Sequence, residues 1–156
     1  MSASSTNSDG VSGPPGRRLS AEVKFRVPFF DTDAMGVVHH SNYLRYLELV
    51  RVQFLEEHDQ PYESYVKAGI HIAVTRAEVD YQRPCRFHDE LRVVGTLTWI
   101  KLLSLQFKYT LTVGDGLVAT ATTEHAAIDG HGKPTRWPAS TRQRLARRLE
   151  AQGIVP

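Results

Sequence analysis

From Val23 onward apolar and polar residues alternate: Val23, Phe25, Val27 and Phe29 fall on one side, while Lys24, Arg26 and Pro28 occupy the other. A period of two marks a half-buried strand, expected here to end near Phe30. From Asn42 to about Glu57 the rhythm becomes helical, with Tyr43, Tyr46, Leu47, Val50 and Phe54 recurring at spacings of three and four. Leu44, Val52 and Leu55 broaden that stripe beyond what a surface helix needs, so the helix is expected at the centre of the fold. Ser41 or Asn42 can cap its first amides, and Arg45 to Glu48 and Glu48 to Arg51 are spaced for local charge pairing. His58-Asp59-Gln60-Pro61 should end it, because proline removes a donor and disfavours helical geometry in the residue before it. A short irregular or helical turn is expected over Tyr62 to Ala68.

Beyond it the pattern predicts four strands, around Ile70 to Gln82, Leu91 to Lys101, Leu103 to Val113 and Leu117 to Ile128. The clearest alternates Leu103, Leu105, Phe107, Tyr109, Leu111 and Val113 against Ser104, Gln106, Lys108, Thr110 and Thr112. Gly114-Asp115-Gly116 and Asp129-Gly130-His131-Gly132 supply turns, and Pro138 precedes a last helix carrying Leu145 and Leu149. The fold class is therefore α+β, an antiparallel sheet whose apolar face covers one long helix. An open sheet edge makes homo-oligomerisation an expectation.

Residues 1–20, rich in Ser, Gly and Pro, read as a flexible tail, 21–151 as one domain and 152–156 as a C-terminal tail. Of the 156 residues 41% are apolar and 23% charged, enough for a real interior. The single cysteine, Cys85, excludes an internal disulfide or a cysteine-based zinc site. Lacking a charged leader followed by an apolar run, the chain is expected to be cytoplasmic, and no stretch approaches the roughly 20 apolar residues of a membrane span. The net charge is +2, with Arg142, Arg144, Arg147 and Arg148 crowding the last helix. Solvation of that helix is the favoured reading, and no nucleic-acid-binding motif accompanies the basic cluster.

Candidate chemistry sits between the first strand and the long helix, in Asp31-Thr32-Asp33-Ala34-Met35-Gly36. Acids there can simply shape a turn. They also precede a helix amino end, whose unpaired amides and positive dipole stabilise a negative oxygen developing on a bound carbonyl. One of them can serve as a base toward water or attack directly. His39 and His40 suit loop, site-wall or metal roles, though no further ligand repeat supports a metal centre. Cys85, with His88 three residues on, reads as a buried apolar residue rather than an activated thiol.

The run Phe30-Asp31-Thr32-Asp33-Ala34-Met35-Gly36-Val37-Val38-His39-His40-Ser41-Asn42-Tyr43-Leu44-Arg45-Tyr46-Leu47-Glu48 closely resembles the 4-hydroxybenzoyl-CoA thioesterase family, in particular its acyl-CoA thioester hydrolase branch. Similarity extends from about Val23 to Leu149, through Tyr81-Gln82-Arg83-Pro84, Asp89 and Gly132-Lys133-Pro134. The resemblance implies a hotdog fold, a sheet wrapped around the long helix, assembled as a homodimer or homotetramer. It implies Asp33 as the catalytic carboxylate and the His40 backbone amide as oxyanion donor. Asp31, Gly36, His39, Asn42 and Tyr43 would then support or wall the site. Relatives often carry tyrosine where His39 or His40 stands. The implied substrate is an acyl-CoA or an acyl carrier protein thioester, coenzyme A being part of the substrate and no cofactor being retained. Arg83 and the terminal arginines would either meet CoA phosphates or hydrate the surface.

Overall fold

The structure, a computed structural model, describes residues 18–154; most of the predicted N-terminal tail and the last two residues lie outside that range. Its strands are β1 (Ser20–Arg26), β2 (His71–Tyr81), β3 (Glu90–Ile100), β4 (Ser104–Val113) and β5 (Gly116–Ile128). Its helices are α1 (Asn42–His58), α2 (Tyr62–Lys67) and α3 (Ala139–Glu150). All pairings are antiparallel in the order β1-β3-β4-β5-β2, so β1 and β2 are the edges. This is the hotdog arrangement that the resemblance implies.

The predicted helical stripe is the buried one. Tyr43, Tyr46, Leu47, Val50, Phe54 and Leu55 all face the interior, whereas Leu44 remains 43% exposed. The sheet answers with Leu91, Val93 and Leu97 from β3 and Leu105, Phe107, Tyr109 and Leu111 from β4. Helix and sheet approach closely at Gly95, where a Cβ would lie 2.4 Å from Val50 Cγ1. The 17-residue α1 is about 25 Å long at 1.5 Å per residue, enough to cross the sheet.

Sequence patterning misplaces several details. β1 stops at Arg26, because Pro28 offers no donor to the ladder. The alternation running on to Phe30 covers a single 3-10 turn, Phe29–Asp31, which leaves Phe29 and Phe30 73% and 79% exposed. Neither Ser41 nor Asn42 caps α1 through its side chain, since each is engaged by the preceding turn. Arg45 pairs with Asp31 at 3.6 Å rather than with Glu48. Leu103 lies in the β3–β4 connection and is exposed.

The far end of α1 is clasped by a buried carboxylate. Asp59 accepts hydrogen bonds from Tyr65 and from Thr141 Oγ1 and pairs with Arg144, joining α1, α2 and α3. Leu19 and Ile154, just outside the 21–151 span, pack on the core, and the Leu19 amide donates to Gln152 Oε1 at 3.0 Å. The opposite edge is bare: in β2 every residue from Val74 to Glu78 is exposed. No helix of the described residues is long and apolar enough to cross a membrane.

Candidate active site

Between β1 and α1 the chain folds back on itself. Thr32 bridges Val38, the Asp33 amide donates to Val37 O at 2.9 Å, and the His39 amide donates to Asp31 O at 2.9 Å. Gly36 closes the reversal at φ 73°, a left-handed conformation that a side chain would strain, and its amide donates to Asp33 O at 2.9 Å.

The two acids part company here. Asp31 is 5% exposed; its Oδ2 accepts the Tyr46 hydroxyl at 2.7 Å, and its backbone oxygen accepts Asn42 Nδ2 at 2.9 Å. Asp31 thereby ties the turn to the first two turns of α1, and it holds the Tyr46 phenol, already raised by burial, still more firmly protonated. Asp33 is half-buried, and its Oδ1 accepts the Met35 amide at 2.8 Å. Its Oδ2 accepts nothing from the described residues. Asp33 therefore makes the Asx turn expected of an acid in a turn, yet keeps one carboxylate oxygen open.

At the amino end of α1, the His40 amide donates to no other described residue, while its carbonyl accepts the Tyr81 hydroxyl at 2.9 Å. Tyr81 packs edge-on against Tyr43 at 5.0 Å, and burial pushes the Tyr43 phenol up to about 12. Val38, His40, Tyr43, Tyr81 and Arg83 line an open cavity of about 280 Å³. His39 turns to Ser41, its Nδ1 lying 2.8 Å from the hydroxyl, and stacks beside His40. One linked group is thus Asp31, His39 and Asn42, a second Asp33 and Gly36, a third His40, Tyr43 and Tyr81. Asp33 and His40 share no hydrogen bond, and Asp33 lines neither of the two cavities described.

Tyr81 was not among the expected site residues. The signal was present, since Tyr81-Gln82-Arg83-Pro84 belongs to the family-like pattern, but nothing in the sequence shows its hydroxyl reaching His40. Cys85 is fully buried, its thiol pushed up to about 12 chiefly by that burial, which makes it a poor nucleophile. Among the described residues no three His, Cys, Asp or Glu side chains group as metal ligands.

A family model described as thioesterase-like superfamily matches residues 27–145, spanning the turn, α1 and the whole sheet after β1. The chain belongs to that superfamily. It falls in the acyl-CoA thioesterase branch and is an enzyme with general acyl-CoA thioesterase activity. The acyl-CoA thioester hydrolase YbgC of Escherichia coli is 32% identical over 82 residues, covering 53% of this chain and 61% of that protein. A hypothetical protein of Aquifex aeolicus superposes with a TM-score of 0.75 at 32% identity, covering 80% of this chain and 98% of that one. A Thermus thermophilus thioesterase solved with coenzyme A and zinc gives a TM-score of 0.69 at 28% identity, covering 80% and 96%.

Proposed function

We propose that the chain hydrolyses acyl-CoA thioesters to a carboxylic acid and free coenzyme A, using Asp33 as general base or nucleophile and the His40 amide as oxyanion donor. The observation carrying this reading is a half-buried carboxylate with one open oxygen, on the turn that leads to an unpaired amide at a helix amino end. A thioester carbonyl at His40 gains a hydrogen bond and the helix dipole as its oxygen becomes negative. If Asp33 acts as base, water adds to the carbonyl carbon while a proton passes to the carboxylate. Collapse of the tetrahedral intermediate breaks the C–S bond, and the departing thiolate takes the proton held by Asp33, which restores the carboxylate. If Asp33 attacks, its oxygen forms the new bond, the thiolate leaves, and water cleaves the resulting anhydride.

The acting assembly is a homodimer, or a tetramer built from dimers, joined through the bare β2 edge. A dyad at Arg76, the middle residue of β2, sets His71 opposite the partner's Tyr81. The turn of one subunit thereby approaches the α1–sheet cavity of the other, so that each acyl group lies between two chains. Arg83 lines the same open cavity as His40, and to it we assign the CoA phosphates. The location we assign is the cytoplasm.

Free-thiol release from aromatic, linear and branched acyl-CoAs, beside carrier-protein thioesters, tests this on chelated protein. Turnover with at least one CoA thioester and no added divalent metal is expected. Binding without turnover would leave an acyl-ligand module, and turnover confined to carrier-linked substrates would make the enzyme a carrier-protein thioesterase.

A further inference from the structure

Beneath α1, away from the Asp33 turn, lies a cavity of about 180 Å³ between the helix and strands β2 and β4. Leu55, Ile72, Leu105 and Phe107 give it apolar walls, and Arg51 and Glu48 bring charge to them. A cavity of about 150 Å³ holds benzene, so this one suits a single ring or a chain of roughly six carbons. Its charged wall is what an ordinary apolar pocket lacks.

Arg51 is half-buried, and among the described residues no carboxylate lies within ion-pair distance of it, Glu48 included. Its Nη1 donates to the Tyr109 hydroxyl at 3.2 Å. Tyr109 lies 2.8 Å from Thr123 Oγ1, which lies 2.7 Å from His125 Nε2. The first bond runs one way, because a guanidinium only donates, which leaves the Tyr109 hydroxyl free to give its own proton to Thr123. Thr123 Oγ1 shares the next hydrogen bond with His125 Nε2, in a direction set by the imidazole tautomer. The other ring nitrogen, Nδ1, is buried and meets no partner among the described residues. Thr123 and His125 pair across the sheet with Phe107 and Leu105, two of the cavity's own walls. The relay therefore lies next to the cavity, in the same layer as two of its walls, and it holds one corner of a guanidinium whose other donors meet no acceptor among the described residues.

We propose that Arg51, anchored by the buried Tyr109–Thr123–His125 relay, is the specificity-determining residue of this cavity. It selects acyl groups whose far end carries a hydrogen-bond-accepting oxygen over alkyl chains of the same size. The inference rests on the thioesterase reading above. A half-buried cation without a counter-charge gains most from such an oxygen, and an alkyl end leaves its donors unpaired. A carboxylate end would pair with the charge, whereas a hydroxyl would accept from Arg51 and donate to Glu48.

The test compares kcat/KM for adipyl-CoA (mono-thioester), 6-hydroxyhexanoyl-CoA and heptanoyl-CoA, which differ only at the far end. The intact enzyme should favour at least one oxygen-ended substrate over heptanoyl-CoA by about 10-fold or more, the cost of leaving polar groups of a site unpaired. Arg51→Met should lower that ratio at least tenfold, mainly through KM, and Tyr109→Phe should lower it in part. Arg51→Gln serves if the methionine variant does not fold. Adipyl preference assigns an ion pair; hydroxyhexanoyl preference assigns the Arg51–Glu48 pair. Equal rates for all three thioesters, or an Arg51 variant that slows all three alike, would overturn the proposal while leaving the thioesterase reading intact. Failure to hydrolyse any of the three would overturn the proposal, and the thioesterase reading would fall with it only if the aromatic and branched thioesters also stayed intact.

Discussion

A methyl group added at Gly95 tests how α1 is seated. The new Cβ would lie 2.4 Å from Val50 Cγ1 and 3.1 Å from two ring carbons of Tyr109, whereas carbon contacts settle near about 3.5–4.0 Å. Val50 is β-branched and has one strongly favoured helical rotamer, so rotation offers little relief. The helix must lift by roughly 1 Å or the Tyr109 ring must yield, an overpacking cost of about 1–3 kcal/mol. Alanine also restricts the unfolded chain, which offsets about 0.4–1 kcal/mol of that. The net loss of about 1–2 kcal/mol should lower the urea midpoint by roughly 1 M. Because α1 carries the His40 amide at its amino end, kcat should fall as well. In a double-mutant cycle with Val50→Ala the two changes should compensate one another, with a coupling of about 1 kcal/mol. A Gly95→Ala midpoint at or above the parental one would refute the close seating of helix on sheet.

Two further outcomes follow from buried groups. His125 is held neutral, its ordinary value pushed down to about 3 by burial first and by the Arg51 charge second. An unfolded histidine titrates near about 6.5, so this contribution to stability is complete above that pH and is lost as pH falls from there toward the folded value. Between pH 7 and pH 5 the enzyme should lose about 2 kcal/mol, and His125→Gln should flatten that slope in urea titrations; an unchanged slope would count against a neutral buried imidazole. Cys85→Ala should keep substantial turnover while losing some stability, and a folded variant without turnover would restore a thiol mechanism.

What the sequence displayed best was periodicity. Val50 and Phe54 on α1 and Phe107 and Leu111 on β4 are buried as their spacing predicts, because one face of each element has only the core to meet. The same logic fails at Phe29, where alternation continues after Pro28 has ended the ladder and the chain has entered a 3-10 turn. Pattern measures spacing, not hydrogen bonding. The Asp31–Asn42–Tyr46 lacing and the Arg51–Tyr109–Thr123–His125 relay join residues from separate elements, so neither could be read before the elements were packed. Sequence could mark both aspartates as candidates, but only packing separates the buried tie from the carboxylate with an open oxygen.

That separation gives the most direct test, a comparison of Asp33→Asn with Asp31→Asn by turnover and by unfolding. Asp33→Asn keeps side-chain size and the Met35 contact but loses the charge that serves as base or nucleophile. Turnover should fall by at least about 100-fold with the unfolding midpoint nearly unmoved and binding of an unreactive CoA analogue retained. Asp31→Asn weakens the bond from Tyr46, so it should lower the midpoint while keeping more of the chemistry. Near-parental turnover for Asp33→Asn, beside collapse of turnover in a stably folded Asp31→Asn, would contradict the account and transfer the catalytic role to Asp31.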